Sequence, residues 1–477
     1  MAAFALDSFE RQAEAFRRSR AWREYHFQSG RRPGRGLLSL YDEDFADFTS
    51  TDFFLDLQAA NEVEPRQLGV LTELLASAYV EGNTRERAAR AGGLEARTSI
   101  TFEDDELAWR TAPRLWTNIE LVPRRHELAE IWRSTTRTEL NPVLERWQEE
   151  VRGALVPLSG DEWLTFWAQQ RGVDLGGTAK LAESLLRLSH DVYAHALGVY
   201  FGQLELPLDD AWSADADSAF RAPRFDVVFT ETTRMPVLVR ALRDLGIDLE
   251  AQTELSLEKA AGSDLRTIVI GAPDEVHVVV PFVGGWQDLA RCLRGLGSAQ
   301  HSVHTDRTLP FWQRELGDAT PGLAYGLLLE GLVRDRVWLT ERVEYAASDD
   351  FRVISTIAWL YRVRKLAALT LYEQRLWAAE PGTATAADFE EALSSQLHVR
   401  HFAVDYLLGL LNTPWSTLRS SVELRAECFA AQLRLWLKRE FDEEWWRSGR
   451  ASNFLKRELW RAGKRYTADE LLGFMGF

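Results

Sequence analysis

Nine residues in the middle of the chain decide the fold, and they read Leu293-Arg294-Gly295-Leu296-Gly297-Ser298-Ala299-Gln300-His301. Their spacing predicts a helix over 286–304 with two unlike faces. The apolar face carries Leu289, Leu293, Leu296 and Val303. The opposite face carries Arg294, Ser298 and His301 at positions i, i+4 and i+7. Gly295 and Gly297 each cost a helix about 1 kcal/mol relative to alanine, so packing against neighbouring elements has to hold this segment.

A β-hairpin over 265–283 is predicted immediately before this helix. Two runs rich in β-branched residues, 265–270 and 276–280, flank a turn that contains Pro273 and Asp274. Most of the remaining chain has helical periodicity, with helices predicted at 8–29, 66–90, 125–152, 160–171, 178–203, 322–346, 350–378, 386–411 and 419–447. The predicted fold class is therefore mainly α, with a small β-hairpin or sheet beside the helix at 286–304.

Short motifs on both sides of the nine residues carry a resemblance to a known family. They are Pro273-Asp274-Glu275-Val276, Gly284-Gly285, His304-Thr305-Asp306, Leu309-Pro310-Phe311, Leu316-Gly317-Asp318 and Tyr325-Gly326-Leu327-Leu328-Leu329-Glu330-Gly331-Leu332. In their order and spacing these motifs resemble the oligoendopeptidase F and thimet-type zinc metallopeptidases over nearly the whole chain. The resemblance implies a multi-helix gluzincin-type fold with a deep cleft beside the active-site helix.

The chain departs from that family at every position that the zinc chemistry requires. The family helix reads L-H-E-x-G-H-A-x-H, and here Arg294 replaces its first His, Gly295 its Glu and Ser298 its second His. The third zinc ligand of the family, a later Glu, falls on Leu323. Arginine stays protonated, glycine has no side chain and serine is a poor zinc ligand, so no ion remains to activate a water molecule. The expected site is therefore degenerate, without metal or other cofactor.

Several polar residues are candidates for lining the former cleft. They are Arg294, His301, His304, Tyr325, Glu330, His398 and His401. We expect Arg294 either to stand where the metal cation would be and pair with Glu330, or to extend into a water-filled former cleft. The family also uses a Tyr near its C-terminus to stabilise an oxyanion. Between Trp415 and Arg425 that Tyr has no assigned counterpart, and Glu423 is a candidate for its position.

Two enzyme alternatives stay open. The pairs His301/His304 and His398/His401 could build a displaced zinc site if the fold brings them together. Ser298 or Cys292 could act as a nucleophile with His301 as its base, although no G-x-S-x-G elbow or Cys/His signature accompanies them.

Composition excludes several partners. The formal net charge of −16 argues against a nucleic acid or an anionic membrane surface, because both attract a positive field. No basic leader precedes an apolar stretch at the N-terminus, and no apolar run approaches the roughly 20 residues of a membrane span. We therefore expect a cytoplasmic protein.

The expected organisation has three regions. Residues 1–220 form an N-terminal helical layer, 221–350 the former catalytic region, and 351–477 a C-terminal helical region that closes the cleft. The predicted function is that of an inactive, zinc-free homologue of the metallopeptidases that binds or scaffolds a peptide or protein. The alternatives are an active oligopeptidase with a displaced His-based zinc site and a regulatory subunit of an active peptidase paralogue.

Overall fold

The computed structural model describes residues 6–31, 37–60, 63–160, 162–262, 264–378, 385–408 and 417–477. The fold is mainly helical, as the sequence predicts. The helices before residue 250 are α1 (Leu6–Ser29), α2 (Leu37–Ser39), α3 (Thr51–Gln58), α4 (Pro65–Asn83), α5 (Arg85–Arg97), α6 (Ala112–Trp116), α7 (Val122–Thr135), α8 (Asn141–Ser159), α9 (Trp163–Gln170), α10 (Leu175–Gln203), α11 (Ser213–Arg221) and α12 (Glu231–Asp244). The later helices are α13 (Gly285–Val303), α14 (Phe311–Glu315), α15 (Thr320–Glu330), α16 (Arg336–Arg342), α17 (Asp349–Ala378), α18 (Ala386–Leu397), α19 (Arg419–Glu440), α20 (Gly449–Phe454) and α21 (Ala468–Phe474).

The strands form two small sheets. They are β1 (Ser99–Phe102), β2 (Asp105–Ala108), β3 (Leu255–Lys259), β4 (Arg266–Gly271) and β5 (Glu275–Val280). β1 and β2 pair as an antiparallel hairpin, and the other three strands form a sheet in the order β3-β5-β4. β4 and β5 are antiparallel, which confirms the predicted hairpin, whereas β3 runs parallel to β5. The sequence analysis missed β3, because Leu255-Ser256-Leu257-Glu258-Lys259 contains no β-branched residue.

The three-stranded sheet lies between two helices. On one face, Val276, Val278 and Val280 join the same apolar cluster as Leu289, Leu293 and Leu296 of α13. On the other face, Ala21 and Tyr25 of α1 pack with Ile268, Ile270 and Val279. The alternation of side chains along a strand explains this division, since successive residues point to opposite faces.

Helix α13 has the predicted extent to within one residue at each end. It crosses α15 at a point where glycines allow the two backbones to approach closely. An ideal Cβ on Gly297 would lie 2.6 Å from the Tyr325 carbonyl oxygen and 3.0 Å from the Gly326 Cα. This crossing fixes the position of the nine residues against α15.

Five of the long predicted helices are interrupted or end early, which corrects the sequence-based boundaries. The stretch 322–346 is divided between α15 and α16 by a 3₁₀ turn at Gly331–Arg334, and the stretch 419–447 ends as an α-helix at Glu440. The stretch 66–90 is divided between α4 and α5 at Thr84, whose hydroxyl donates back to the Val80 carbonyl. The stretch 125–152 is divided by a π-helical turn at Thr136–Leu140, after which Pro142 lies in the first turn of α8, where a missing N–H is tolerated. The stretch 386–411 ends as a helix at Leu397, because His398 adopts the left-handed conformation with φ 56°.

The described apolar core is built mainly from two large clusters. One draws on residues between Tyr193 and Met475, and the other is centred on the helices before residue 175 with contributions from Phe311 and Trp312. Within the described residues, no helix combines the length and the apolar character that crossing a lipid bilayer requires.

Candidate functional site

The positions that the resemblance assigns to the zinc ligands meet where α13 crosses α15. An ideal Cβ on Gly326 would lie 2.4 Å from the Ser298 Oγ and 2.5 Å from the Arg294 carbonyl oxygen. Leu323 lies one helical turn before Gly326 on α15 and packs against the main apolar cluster. The fold therefore places Arg294 and Ser298 of α13 against α15, the helix that carries Leu323. The side chains there are a guanidinium, a hydroxyl and an isobutyl group.

The position assigned to the general base is closed by the sheet. An ideal Cβ on Gly295 would lie 2.3 Å from Val278 Cγ1 and 3.3 Å from Leu265 Cδ1. The Thr267 hydroxyl donates to the Gly295 carbonyl oxygen at 3.2 Å. Val278 therefore occupies the space that a longer side chain at 295 would enter, and no group at this position can accept a proton.

Arg294 pairs with Glu330, although only at long range. Its Nε lies 3.9 Å from Glu330 Oε2, and its side chain is 21% exposed. The stronger partner of Glu330 is Arg362 of α17, whose Nη1 donates to Glu330 Oε1 at 2.5 Å. Burial opposes ionisation of Glu330, but Arg362, Arg294 and Arg334 outweigh it and hold the pKa of this carboxyl below its ordinary value. Beside Arg294 the structure thus holds a buried carboxylate surrounded by arginines.

Arg362 extends this network to a second buried carboxylate. Its Nη2 donates to Glu427 Oε1 at 2.7 Å, and Trp359 Nε1 donates to Glu427 Oε2 at 3.0 Å. No spacing in the sequence indicated Arg362, Trp359 or Glu427, because α17 and α19 meet only in the folded chain. Their contribution could be found only from the structure.

His301 is buried at the end of the polar face of α13. Its Nε2 lies 2.7 Å from the Gly463 carbonyl oxygen, and the residue is 4% exposed. Burial lowers the pKa of His301 to about 4, so the ring is neutral at pH 7. Tyr325 packs edge-on against it at 5.2 Å between ring centroids, and burial raises the pKa of that phenol.

The other candidate histidines lie in separate surroundings. His304 Nδ1 lies 3.0 Å from the Gln300 carbonyl oxygen. His401 Nε2 lies 3.1 Å from the Tyr361 hydroxyl, and His398 stacks near His190 and Tyr193. Within the described ranges, no three or more His, Cys, Asp or Glu side chains come together in a way that could hold a metal ion. The geometry therefore gives no support to a displaced His-based zinc site.

The nucleophile alternatives also lack the necessary contacts. Cys292 is buried, and burial raises the pKa of its thiol to about 12, which leaves it protonated at pH 7. Ser298 faces Gly326, and no hydrogen bond joins it to His301 in the described part of the chain. A thiolate or an activated hydroxyl therefore has no base here.

Glu423 is the candidate for the oxyanion-stabilising position. Arg419 Nε donates to its Oε1 at 2.6 Å, and Arg419 and Arg294 overcome burial to lower the pKa of Glu423. A carboxylate in this state accepts hydrogen bonds and cannot stabilise an oxyanion. Trp415, at the other end of the predicted segment, lies outside the described residues.

The sequence analysis also missed an apolar cavity of about 740 Å³ on the α13 face of β3. Met235, Val239, Leu249, Leu255, Leu257 and Leu296 are among the residues that line it. The sequence analysis could not predict a site here, because it did not predict β3.

Comparison with known proteins supports the fold. No protein-family model and no curated protein matches this sequence. Among solved structures, a putative oligoendopeptidase F is similar with a TM-score of 0.64 and 13% identity, over 100% of this chain and 89% of the other. The M32 carboxypeptidase from Deinococcus radiodurans R1 is similar with a TM-score of 0.58 and 14% identity, over 98% and 94%. A carboxypeptidase from Pyrococcus furiosus has a TM-score of 0.53 and 13% identity, over 98% and 94%. The chain has a mainly α, metallopeptidase-type fold.

Proposed function

We propose that this protein is a catalytically inactive, zinc-free relative of the metallopeptidases that binds a peptide or protein ligand in the cytoplasm. The observation that carries the proposal is the replacement of all four chemical positions by Arg294, Gly295, Ser298 and Leu323. Val278 fills the space beside Gly295, and Arg294 already pairs with Glu330. Restoring hydrolysis would therefore require more than one substitution.

The outer edge of β4 supports binding of an extended ligand. No strand pairs with this edge among the described residues, and Arg17 Nη1 contacts the outward Val269 carbonyl oxygen at 3.3 Å. Because backbone groups alternate along a strand, Thr267 presents its N–H and C=O on the same side as Val269. A peptide could add to this edge as a fourth strand, as extended ligands do in many binding proteins.

Charged residues lie near this edge, and Arg266 of β4 acts on two of them, Glu24 and Glu95. Burial acts to raise the pKa of the Glu24 carboxyl, but Arg20 and Arg266 outweigh it and hold that pKa below its ordinary value. The Glu24 side chain is 37% exposed. Burial and Asp264 raise the pKa of Glu95 to about 7, against Arg110 and Arg266. Arg266 and these carboxyls thus supply charges of both signs beside the edge where we propose that the ligand adds.

The catalytic part of the proposal is tested on purified full-length protein. Zinc is measured after dialysis against excess zinc, and cleavage is measured with a mixed library of internally quenched peptides. We expect far less than one zinc per chain and no chelator-sensitive cleavage. Stoichiometric zinc together with such cleavage would overturn the proposal.

The binding part needs a separate measurement. Peptides from the same library are selected by affinity capture on the protein, and the selected sequences are titrated by calorimetry. Thr267→Pro removes an outward N–H that β5 does not use, so we expect at least a tenfold loss of affinity while the sheet stays intact. Thr267→Ser keeps the N–H and the hydroxyl and serves as the matched control. The same capture is repeated with an extract of the source cells. Capture of an active peptidase paralogue would identify the ligand as a protein.

A further inference from the structure

Three arginines lie close together near the end of α15, beside the Glu330 carboxylate. Arg334 belongs to the turn Gly331–Arg334 that follows α15, Arg362 to α17 and Arg434 to α19. We call these three residues the arginine cluster. An ideal Cβ on Gly331 would lie 3.7 Å from Arg334 Nη2 and 3.8 Å from Arg434 Nη1. The guanidinium groups of Arg334 and Arg434 therefore both lie beside Gly331.

The carboxylates beside the cluster are already engaged by one of its members. Arg362 bridges Glu330 at 2.5 Å and Glu427 at 2.7 Å. Within the part of the chain that the structure describes, the guanidinium groups of Arg334 and Arg434 have no ion pair and no hydrogen bond. Three arginines therefore lie beside two carboxylates, Glu330 and Glu427, which leaves an excess of positive charge in the cluster.

This excess charge lies in partly desolvated surroundings. Arg334, Arg434 and Trp359 are all half-buried, and the Arg334 guanidinium carbon lies 5.6 Å from the centroid of the Trp359 ring. The pKa of Arg334 is lowered to about 10, first by burial and also by Arg362 and Arg434, against the opposing effect of Glu330 and Glu427. Like charges held together away from water repel strongly unless an anion joins them.

We propose that the arginine cluster is a binding site for a phosphate-class oxyanion, either free phosphate or the phosphoryl group of a phosphorylated ligand. Guanidinium groups present paired N–H donors that match the oxygens of phosphate. A carboxylate has two oxygens and satisfies one such fork, whereas a phosphate has enough oxygens to accept from Arg334 and Arg434 together. The site is independent of the peptide edge at β4, so either proposal can fail alone.

Calorimetric titration of the full-length protein tests the proposal directly. The probes are inorganic phosphate, O-phosphoserine and acetate, in a chloride buffer of constant ionic strength. We expect at least one of the two phosphate probes to bind at least tenfold more tightly than acetate. Binding of inorganic phosphate alone would assign the site to the free ion, and binding of O-phosphoserine would assign it to phosphorylated ligands.

Substitutions then locate the site. Arg334→Gln and Arg434→Gln should each weaken phosphate binding at least tenfold. Arg336→Gln, at an exposed arginine two residues away, should leave binding unchanged. Thermal unfolding gives a second readout: phosphate should raise the melting temperature of the wild type but not that of Arg334→Gln, which should melt no lower than the wild type when phosphate is absent. Equal binding of acetate and phosphate, or unchanged phosphate binding in both variants, would overturn the proposal.

Discussion

Two glycines of α13 lie two residues apart and face different neighbours. Gly297 faces the backbone of α15, where an added Cβ would meet the Tyr325 carbonyl oxygen and the Gly326 Cα. Gly295 faces the sheet, where an added Cβ would meet one methyl group of Val278. Backbone atoms in a helix crossing cannot withdraw, whereas a side chain can be exchanged by mutation. Backbone contacts at Gly297 therefore fix the crossing of α13 and α15, whereas the neighbour of Gly295 is a side chain that a single substitution can replace.

The largest effect should come from Gly297. Gly297→Ala places a methyl group against backbone atoms at 2.6 and 3.0 Å, which forces α13 and α15 apart. Overpacking of this kind costs up to about 3 kcal/mol and more where the backbone has to move. We expect urea denaturation, followed by circular dichroism, to show a loss of more than about 3 kcal/mol in the free energy of unfolding.

Gly153 of α8 provides the matched control for that substitution. No atom lies within 4 Å of its ideal Cβ position, so Gly153→Ala should leave stability unchanged or raise it by up to about 1 kcal/mol. If Gly297→Ala and Gly153→Ala lower the free energy of unfolding by similar amounts, then the crossing of α13 and α15 tolerates an added methyl group as well as an open helix surface does.

His301 extends the comparison to the polar face of α13. Its pKa is about 4 in the folded protein, below the ordinary value of 6.5, so between these pH values the unfolded chain binds a proton that the folded chain does not. The free energy of unfolding should therefore fall as the pH is lowered from 6.5 to 4, by about 2 to 3 kcal/mol from this residue. His301→Gln should show a correspondingly shallower pH dependence in urea titrations at pH 7, 5.5 and 4.

The comparison variant is His195→Gln, at an exposed position on α10. It should keep the slope of the wild type. If His301→Gln also keeps the wild-type pH dependence of the free energy of unfolding, then the protonation of His301 does not affect stability.

Arg362 tests whether the carboxylate beside Arg294 is part of the structural framework. Arg362→Gln removes the main partner of Glu330 and Glu427, both buried, and leaves them with weaker cationic neighbours. Breaking buried pairs costs several kcal/mol, but the Arg362 side chain is 29% exposed, so we expect a loss of about 2 kcal/mol at pH 7.

The pH dependence of this loss has a defined sign. The folded pKa of Glu330 is below its ordinary value of 4.5, so its stabilising contribution is present above pH 4.5 and disappears as the pH falls through the folded pKa. The difference between the wild type and Arg362→Gln should accordingly narrow below pH 4.5. Arg307→Gln, at an exposed ion pair with Asp274, should change stability by less than about 0.5 kcal/mol at either pH.

The sequence carried enough information for the central helix and the hairpin, because periodicity and turn residues are local signals. The motif spacing also predicted that Arg294 and Ser298 belong with the segment around Leu323, and the structure places both residues against α15, which carries Leu323. β3 could not be predicted, because its strand form depends on pairing with β5. The role of Val278 and the bridge formed by Arg362 depend on contacts between distant elements, which periodicity does not encode.

The smallest effect should come from Gly295, whose neighbour is the Val278 side chain. This neighbour can be replaced by mutation, whereas the Tyr325 backbone beside Gly297 cannot. Gly295→Ala should cost about 1 kcal/mol, because the stiff Val278 side chain has to shift away from a methyl group that would lie 2.3 Å from its Cγ1. Val278→Ala removes that methyl group, so the loss caused by Gly295→Ala should largely disappear in its presence, and urea denaturation should give a coupling energy of about 1 kcal/mol. The same cycle between Gly297→Ala and Leu329→Ala should show little coupling, because the Tyr325 backbone remains in place. Strictly additive losses at 295 and 278 would mean that Val278 does not close the space beside Gly295.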